Sequence, residues 1–408
     1  MLPCSAAGQA PVPAALSLEE ALRLAEANNP RLAVARQEAA LSDADVIEAR
    51  QRPNPEFEIE SEGFRPGAST GFANGQELSL RIAQPLELGT RRGARIEAAN
   101  AGRAAARARL ADVVRQVRRE VGRAYFALAA ARAETEAAQA ALEEIDRIIA
   151  VNRARYEQGE VSGGELRRLE VERLRFADDL LTADLAVRQA TSELRAAIGT
   201  GRLDDSIVPT EGLDVPATAA LPRADAALAA ALERRPDIVA LRHERERAQA
   251  EMRLQRALRL PAPTIAGGYK RDFGDQGIIL GLSIPLPIFD RNQAGQRRSD
   301  AARRLADARL RQAETAVALE VQQALDLLEV SRRRADALER DYLVRAREAR
   351  DSVAASYRLG EADLIDYLDA QRAFRDVQRA HSRALVELRL SLFELQAVIG
   401  TLPGEPRS

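Results

Sequence analysis

Two periodicities divide the chain. Between 110 and 156, Leu110, Val114, Val117, Val121, Ala124, Leu128 and Ala131 recur at alternating spacings of four and three, and the alternation continues through Ile145, Ile149, Asn152 and Tyr156. A mean spacing of about 3.5 residues marks the seam of a supercoiled helix. Val317, Val321, Ala324, Leu328, Ser331, Ala335, Leu338 and Tyr342 repeat the alternation. A helix over about 94–157 rises roughly 96 Å at 1.5 Å per residue, longer than an ordinary domain. Gly159 and Gly360 stand where such helices end, each leading into a returning helix of about 35 residues. Ser17 with Glu20 forms a capping box for an earlier helix, and Pro30 and Pro236 suit helix starts.

The second periodicity is two. Glu56, Glu58, Glu60 and Glu62 alternate with Phe57, Ile59, Ser61 and Gly63. Leu78, Leu80 and Ile82 alternate with polar neighbours, as do Ile278, Leu280, Leu282 and Ile284 with a more mixed set. Short alternating segments are the signature of transmembrane β-strands, apolar toward lipid and polar toward a lumen. Six of the fifteen aromatics, Phe57, Phe64, Phe72, Tyr269, Phe273 and Phe289, fall in these stretches, as an interfacial girdle requires, although Trp is absent. Four strands cannot close a barrel, open edges are not tolerated in lipid, and the smallest membrane barrels have about eight strands. If the hairpins insert, several chains share one barrel.

The chain is a duplication. With Ala154 set on Ala355, Tyr156, Gly159 and Glu160 fall on Tyr357, Gly360 and Glu361. At the same offset of 201, Leu194, Ile198, Gly199 and Thr200 fall on Leu395, Ile399, Gly400 and Thr401. Leu80, Ile82 and Pro85 fall on Leu282, Ile284 and Pro287 with the offset moved by one. Ala-rich helices do not place Gly, Pro and Tyr in register by chance. The halves, 16–203 and 222–401, each read as helix, β-hairpin, long helix, helix; 204–221 is a linker and 402–408 a disordered tail. Segment 1–15 reads as the remnant of an export leader or as a disordered N-terminus. The fold class is mainly α with a small β part.

Charge and composition remove other classes. Lys+Arg of 60 against Asp+Glu of 62 leaves a net charge of -2, so nothing favours nucleic acid as a partner. Two histidines and one cysteine exclude a disulfide framework, a structural zinc site and a Cys–His nucleophile pair. Gly67-Ala68-Ser69-Thr70-Gly71 matches a nucleophile elbow, but it lies between two strands rather than between strand and helix, which makes it a hairpin loop. No phosphate-binding loop is present, so any driving energy comes from a partner. No catalytic, cofactor or metal site is expected. Cys4 is a lipidation candidate in a poor lipobox, the alternative being a free thiol.

The duplicated helix–hairpin–long helix–helix unit resembles the TolC-like outer membrane factor family from about Leu16 to Thr401. The resemblance is carried by Leu18-Glu19-Glu20-Ala21-Leu22 running to Asn28-Asn29-Pro30, by Tyr156 to Gly159 and its copy Tyr357 to Gly360, and by the closing Ile198-Gly199 and Ile399-Gly400. Arg52-Pro53-Asn54-Pro55 looks like the branch serving cobalt–zinc–cadmium or copper efflux. The resemblance implies a homotrimer in the outer membrane of a Gram-negative bacterium. Its long coiled-coil hairpins form a periplasmic α-barrel, and four strands per chain build a shared 12-stranded β-barrel. It further implies a passive duct docked through a periplasmic adaptor to a proton-driven inner-membrane pump. The rival reading is a soluble periplasmic coiled-coil adaptor or structural interaction protein.

Within this reading the helix tips are the docking and gating ends. Glu160 and Glu165 lie beside Gly159, and Glu361, Asp363 and Asp366 lie beside Gly360. Around an axis such acids form rings that concentrate cations, and they equally suit helix-start capping. Tyr156 and Tyr357 suit either a hydrogen bond holding neighbouring helices closed or simple packing.

Overall fold

The computed structural model describes residues 15–62, 77–201, 207–212, 222–272 and 275–401. Cys4, the 67–71 motif, Phe64, Phe72, Phe273, most of the linker and the 402–408 tail lie outside them. The described residues form two compact units, each drawn from both halves of the duplication: a helical unit from 1–35, 111–236 and 315–408, and a strand-bearing unit from 36–110 and 237–314.

In the helical unit, α1 (Leu18–Asn28) starts at the expected capping box, in which the Glu20 amide donates to Ser17 Oγ and the Ser17 amide to Glu20 Oε2. Two short strands, β1 (Ala15–Leu16) and β4 (Val208–Pro209), pair in parallel. Tyr125 fastens this corner: its hydroxyl donates to the Leu16 carbonyl at 3.0 Å and accepts from the Glu211 amide at 3.1 Å. Around it Phe126, Leu128, Leu194, Ile198 and Phe393 form the core. Gly122 is required there, because a Cβ would overlap the Phe393 ring.

The long helices follow the heptads, with one departure. In the first half α3 (Arg91–Glu157) is unbroken and turns at Gly159 into α4 (Gly163–Ile198). In the second half α7 (Gln293–Ala337) passes into a π-helical turn, Leu338–Tyr342, before α8 (Leu343–Leu359) and α9 (Leu364–Ile399). The seam expected to run through Tyr342 therefore stops short, and that side chain is 59% exposed. The single leading helix expected in each half is also two. Pro30 starts α2 (Pro30–Arg50) directly after α1, and Pro236 starts α6 (Pro236–Ala257) after α5 (Ala224–Arg234). A proline has no amide hydrogen to continue the preceding helix, so the chain breaks and restarts.

In the strand-bearing unit β2 (Glu56–Glu62), β3 (Glu77–Pro85), β5 (Thr264–Asp272) and β6 (Asp275–Ser283) form one antiparallel sheet in the order β2-β3-β5-β6. The two hairpins, one from each half, meet along β3 and β5. Their register aligns whole rows of like chemistry. Phe57, Ile82, Gly267 and Leu280 lie side by side, as do Ile59, Leu80, Tyr269 and Ile278. Between them run Glu58, Arg81, Gly268 and Ile279, then Glu60, Ser79, Lys270 and Gly277. Apart from Ile279, the first two rows are apolar and the second two polar; the next row on the apolar face, Ser61, Leu78, Arg271 and Gln276, turns polar toward the strand ends. The apolar face is uncovered: Ile278 and Leu280 are 84% and 86% exposed. Arg81 pairs with Glu58 at 2.5 Å and Lys270 with Glu77 at 3.0 Å on the polar face.

Candidate gate and docking tip

Both tips are built from a glycine turn and a helix N-cap. Gly159 and Gly360 each adopt φ of 78°, a left-handed conformation that L side chains resist, so each long helix ends there. Immediately before the returning helix sits a cap: Ser162 Oγ accepts from the Glu165 amide at 3.2 Å, and Asp363 Oδ1 accepts from the Asp366 amide at 2.8 Å. Asp363 is thus a cap, and Glu165 and Asp366 are acids of the first turn. Glu160 pairs with Arg155 at 3.2 Å, while Glu361 is exposed. Leu359, 75% exposed, and Ile365 add apolar surface beside these acids.

The two tyrosines, equivalent in sequence, differ in the structure. Tyr156 is 48% exposed. Tyr357 is packed against a cluster of Ile145, Ile149, Leu169, Leu364 and Tyr367. Its hydroxyl donates to Asn152 Oδ1 at 2.7 Å, and its ring stacks on Tyr367 with centroids 5.1 Å apart. Asn152, 2% exposed, is anchored by its amide to the Ile148 carbonyl at 3.0 Å. Burial pushes both the Tyr357 and Tyr367 phenols above their ordinary range, so each stays a protonated donor near neutral pH. The Tyr357–Asn152 bond ties the second long helix to the first.

A second tie lies farther from the tip. Glu172 on α4 is buried, and Arg372 on α9 grips it at both oxygens, 2.7 Å and 3.1 Å. Arg175 at 3.2 Å and Arg375 at 3.7 Å complete its surroundings. The Arg372 hydrogen bond holds the Glu172 carboxyl below its usual range against the opposing effect of burial. Seven residues on, Asp179 pairs with Arg379 at 2.6 Å. Neither Asn152 nor this ion pair was among the expected site residues. The signal for the pair lay in the sequence: two acids seven apart on one helix and two arginines seven apart on its repeat, the spacing of a heptad.

Among the described residues no helix is long and apolar enough to cross a membrane, and no group of three or more His, Cys, Asp or Glu is arranged to hold a metal ion.

The family model described as "Outer membrane efflux protein" matches the chain twice, over 21–200 and 227–401. The cobalt-zinc-cadmium resistance protein CzcC of Cupriavidus metallidurans is 30% identical over 364 residues, 88% of this chain and 83% of that protein. The nickel and cobalt resistance protein CnrC of the same organism is 26% identical over 68% of this chain and 64% of its own length. In fold, the chain is similar to the outer-membrane channel OprN, with a TM-score of 0.78 at 23% identity over 94% of this chain and 90% of that one.

Proposed function

The chain belongs to the outer membrane efflux protein family and is an outer membrane efflux channel; from that premise we propose that three copies form a passive duct for divalent transition-metal cations. One observation carries the assembly: the four-stranded sheet has an uncovered apolar face, a polar face, and two free edges at β2 and β6. Successive strands are antiparallel, so β6 of one copy can pair with β2 of the next in the same sense, and three copies close a ring of twelve strands. The apolar rows then face lipid and the glutamate rows face the lumen. Glu56, Glu60 and Glu62 on each copy add to the acids at the tips, giving a wall that repels anions and enriches cations. The names of the relatives, which refer to cobalt, zinc, cadmium and nickel resistance, support metal cations as cargo. The chain carries no phosphate-binding loop, so the driving energy comes from a partner; in this reading the partner is a proton-driven inner-membrane pump, coupled through a periplasmic adaptor that docks on the exposed Leu359, Ile365 and Tyr156 at the tips.

In this reading Tyr357 and Asn152 are the latch of the closed tip. A single hydrogen bond contributes about 1 kcal/mol, and three copies together roughly a hundred-fold in the closed-to-open ratio. Replacement of Tyr357 by Phe is expected to raise resting conductance in planar bilayers accordingly.

The cation wall is tested by the reversal potential under a salt gradient. Asp363→Ser with Asp366→Asn keeps a capping oxygen at position 363, as Ser162 does in the first half, and removes both charges. Cation preference is expected to fall in this variant. An unchanged reversal potential, with Asp363→Ala alone lowering stability, would assign these acids to capping only.

A further inference from the structure

The π-turn coincides with a one-residue difference between the halves. Val317, Val321, Ala324, Leu328 and Ser331 stand 200 residues after Val117, Val121, Ala124, Leu128 and Ala131, and all ten are buried. At the tips the offset is 201, Tyr156 with Tyr357 and Gly159 with Gly360. The second half therefore carries one extra residue between Ser331 and Tyr357. Within that interval the backbone leaves the α-helical pattern at Leu338–Tyr342, closed by the Leu343 amide donating to the Leu338 carbonyl five residues back. A π-bulge is the form in which a helix absorbs one inserted residue.

The facing of the tip depends on it. Continued from Ala335, the four-three alternation would bring Ser352 and Ser356 to the core. The side chains packed there are Val353, Ala354 and Tyr357, with Val353 and Tyr357 each one residue later than the alternation gives. One residue turns a helix by about 100°, so an uninterrupted helix would point Tyr357 away from Asn152 and offer Ser356 in its place. We infer that the Leu338–Tyr342 π-turn is the register element that positions Tyr357 against Asn152. Its bearing on conductance rests on the latch reading above; its bearing on register does not.

Deletion of Arg340, an exposed residue of the turn, tests this in the full chain carrying Cys4→Ser. Asn152→Cys is combined with either Tyr357→Cys or Ser356→Cys and treated with a short bifunctional thiol reagent. With the turn intact, the 152/357 pair is expected to cross-link in preference to 152/356. The deletion removes the extra residue that the turn absorbs, so an unbroken helix with the phasing of the first half is expected to keep the 152/357 preference. One alanine inserted after Arg347 in the undeleted chain adds a residue that the turn does not absorb. That insertion is expected to shift the preference to 152/356 and, in the chain without the paired cysteines, to raise resting conductance as Tyr357→Phe does. Loss of the 152/357 preference in the deleted chain, or its persistence in the chain with the insertion, overturns the inference. A shifted preference after the insertion, with Tyr357→Phe leaving conductance unaltered, would uphold the register role and sink the latch reading instead. If one of the two variants fails to assemble, the other decides by the same outcomes.

Discussion

Replacing Leu280 with arginine is expected to abolish stable insertion into the outer membrane. Leu280 lies in the row of Phe57, Ile82 and Gly267 and is 86% exposed in the single chain, so none of the described residues covers it. On a water-exposed hairpin the change would be nearly neutral, since exposed substitutions away from special features cost less than about 0.5 kcal/mol. Facing lipid near the bilayer centre, an arginine costs about 2–4 kcal/mol, and three copies bring the total to roughly 6–12 kcal/mol per assembly. Ala83→Arg is the matched control. It adds the same charge to the polar face, directly opposite Glu56, where a cross-strand ion pair can form. Membrane fractionation and heat-modifiable mobility on gels should separate the two variants; equal behaviour would show that the apolar rows do not meet lipid.

The second large effect is expected at Glu172. Breaking a fully buried ion pair by removing one partner costs about 3–5 kcal/mol. Here Arg372 is part-exposed and can turn to water, whereas Arg375 stays mostly buried, so about 2–3 kcal/mol is expected for Glu172→Ala. The pH dependence has a definite sign. The Glu172 carboxyl is held below its unfolded value, chiefly by the Arg372 hydrogen bond, so its contribution is complete above the ordinary glutamate range. It is lost as pH falls through the lowered folded-state value. Thermal inactivation of the detergent-solubilised protein should therefore differ most between wild type and Glu172→Ala at neutral pH, and the difference should shrink in acid. A difference that grows on acidification would contradict the assigned charge state.

Much of this was legible before any coordinates. The long helices, their glycine turns and the duplication follow from spacing alone, because 3.5-residue seams and left-handed glycines leave direct marks in sequence. The hairpins were partly legible. β2 alternates cleanly, but β5 carries Gly267 and Gly268 in succession, which blurs its alternation, and only its register against Ile82 and Leu280 reveals the apolar row. The latch was half legible. Tyr156 and Tyr357 look alike in the repeat, and only packing distinguishes the exposed ring from the bonded one. Asn152 stood in the seam, with Thr135, as a polar residue among mostly apolar ones, a mark of register specification that was open to reading. The π-turn left no mark in local composition, since Leu338-Glu339-Arg340-Asp341-Tyr342 contains no helix breaker. It shows only as the change of offset between the two halves.

The most direct test of the shared barrel is the mass of the detergent-extracted particle, measured by light scattering with the detergent contribution subtracted, on the preparation that is then reconstituted into planar bilayers. In lipid the two open edges of the sheet must be paired, and the proposed duct predicts a particle of three chains that gives discrete, cation-preferring conductance steps. A monodisperse single chain of 44.5 kDa without conductance would contradict it, leaving the four strands as hairpins that never enter lipid.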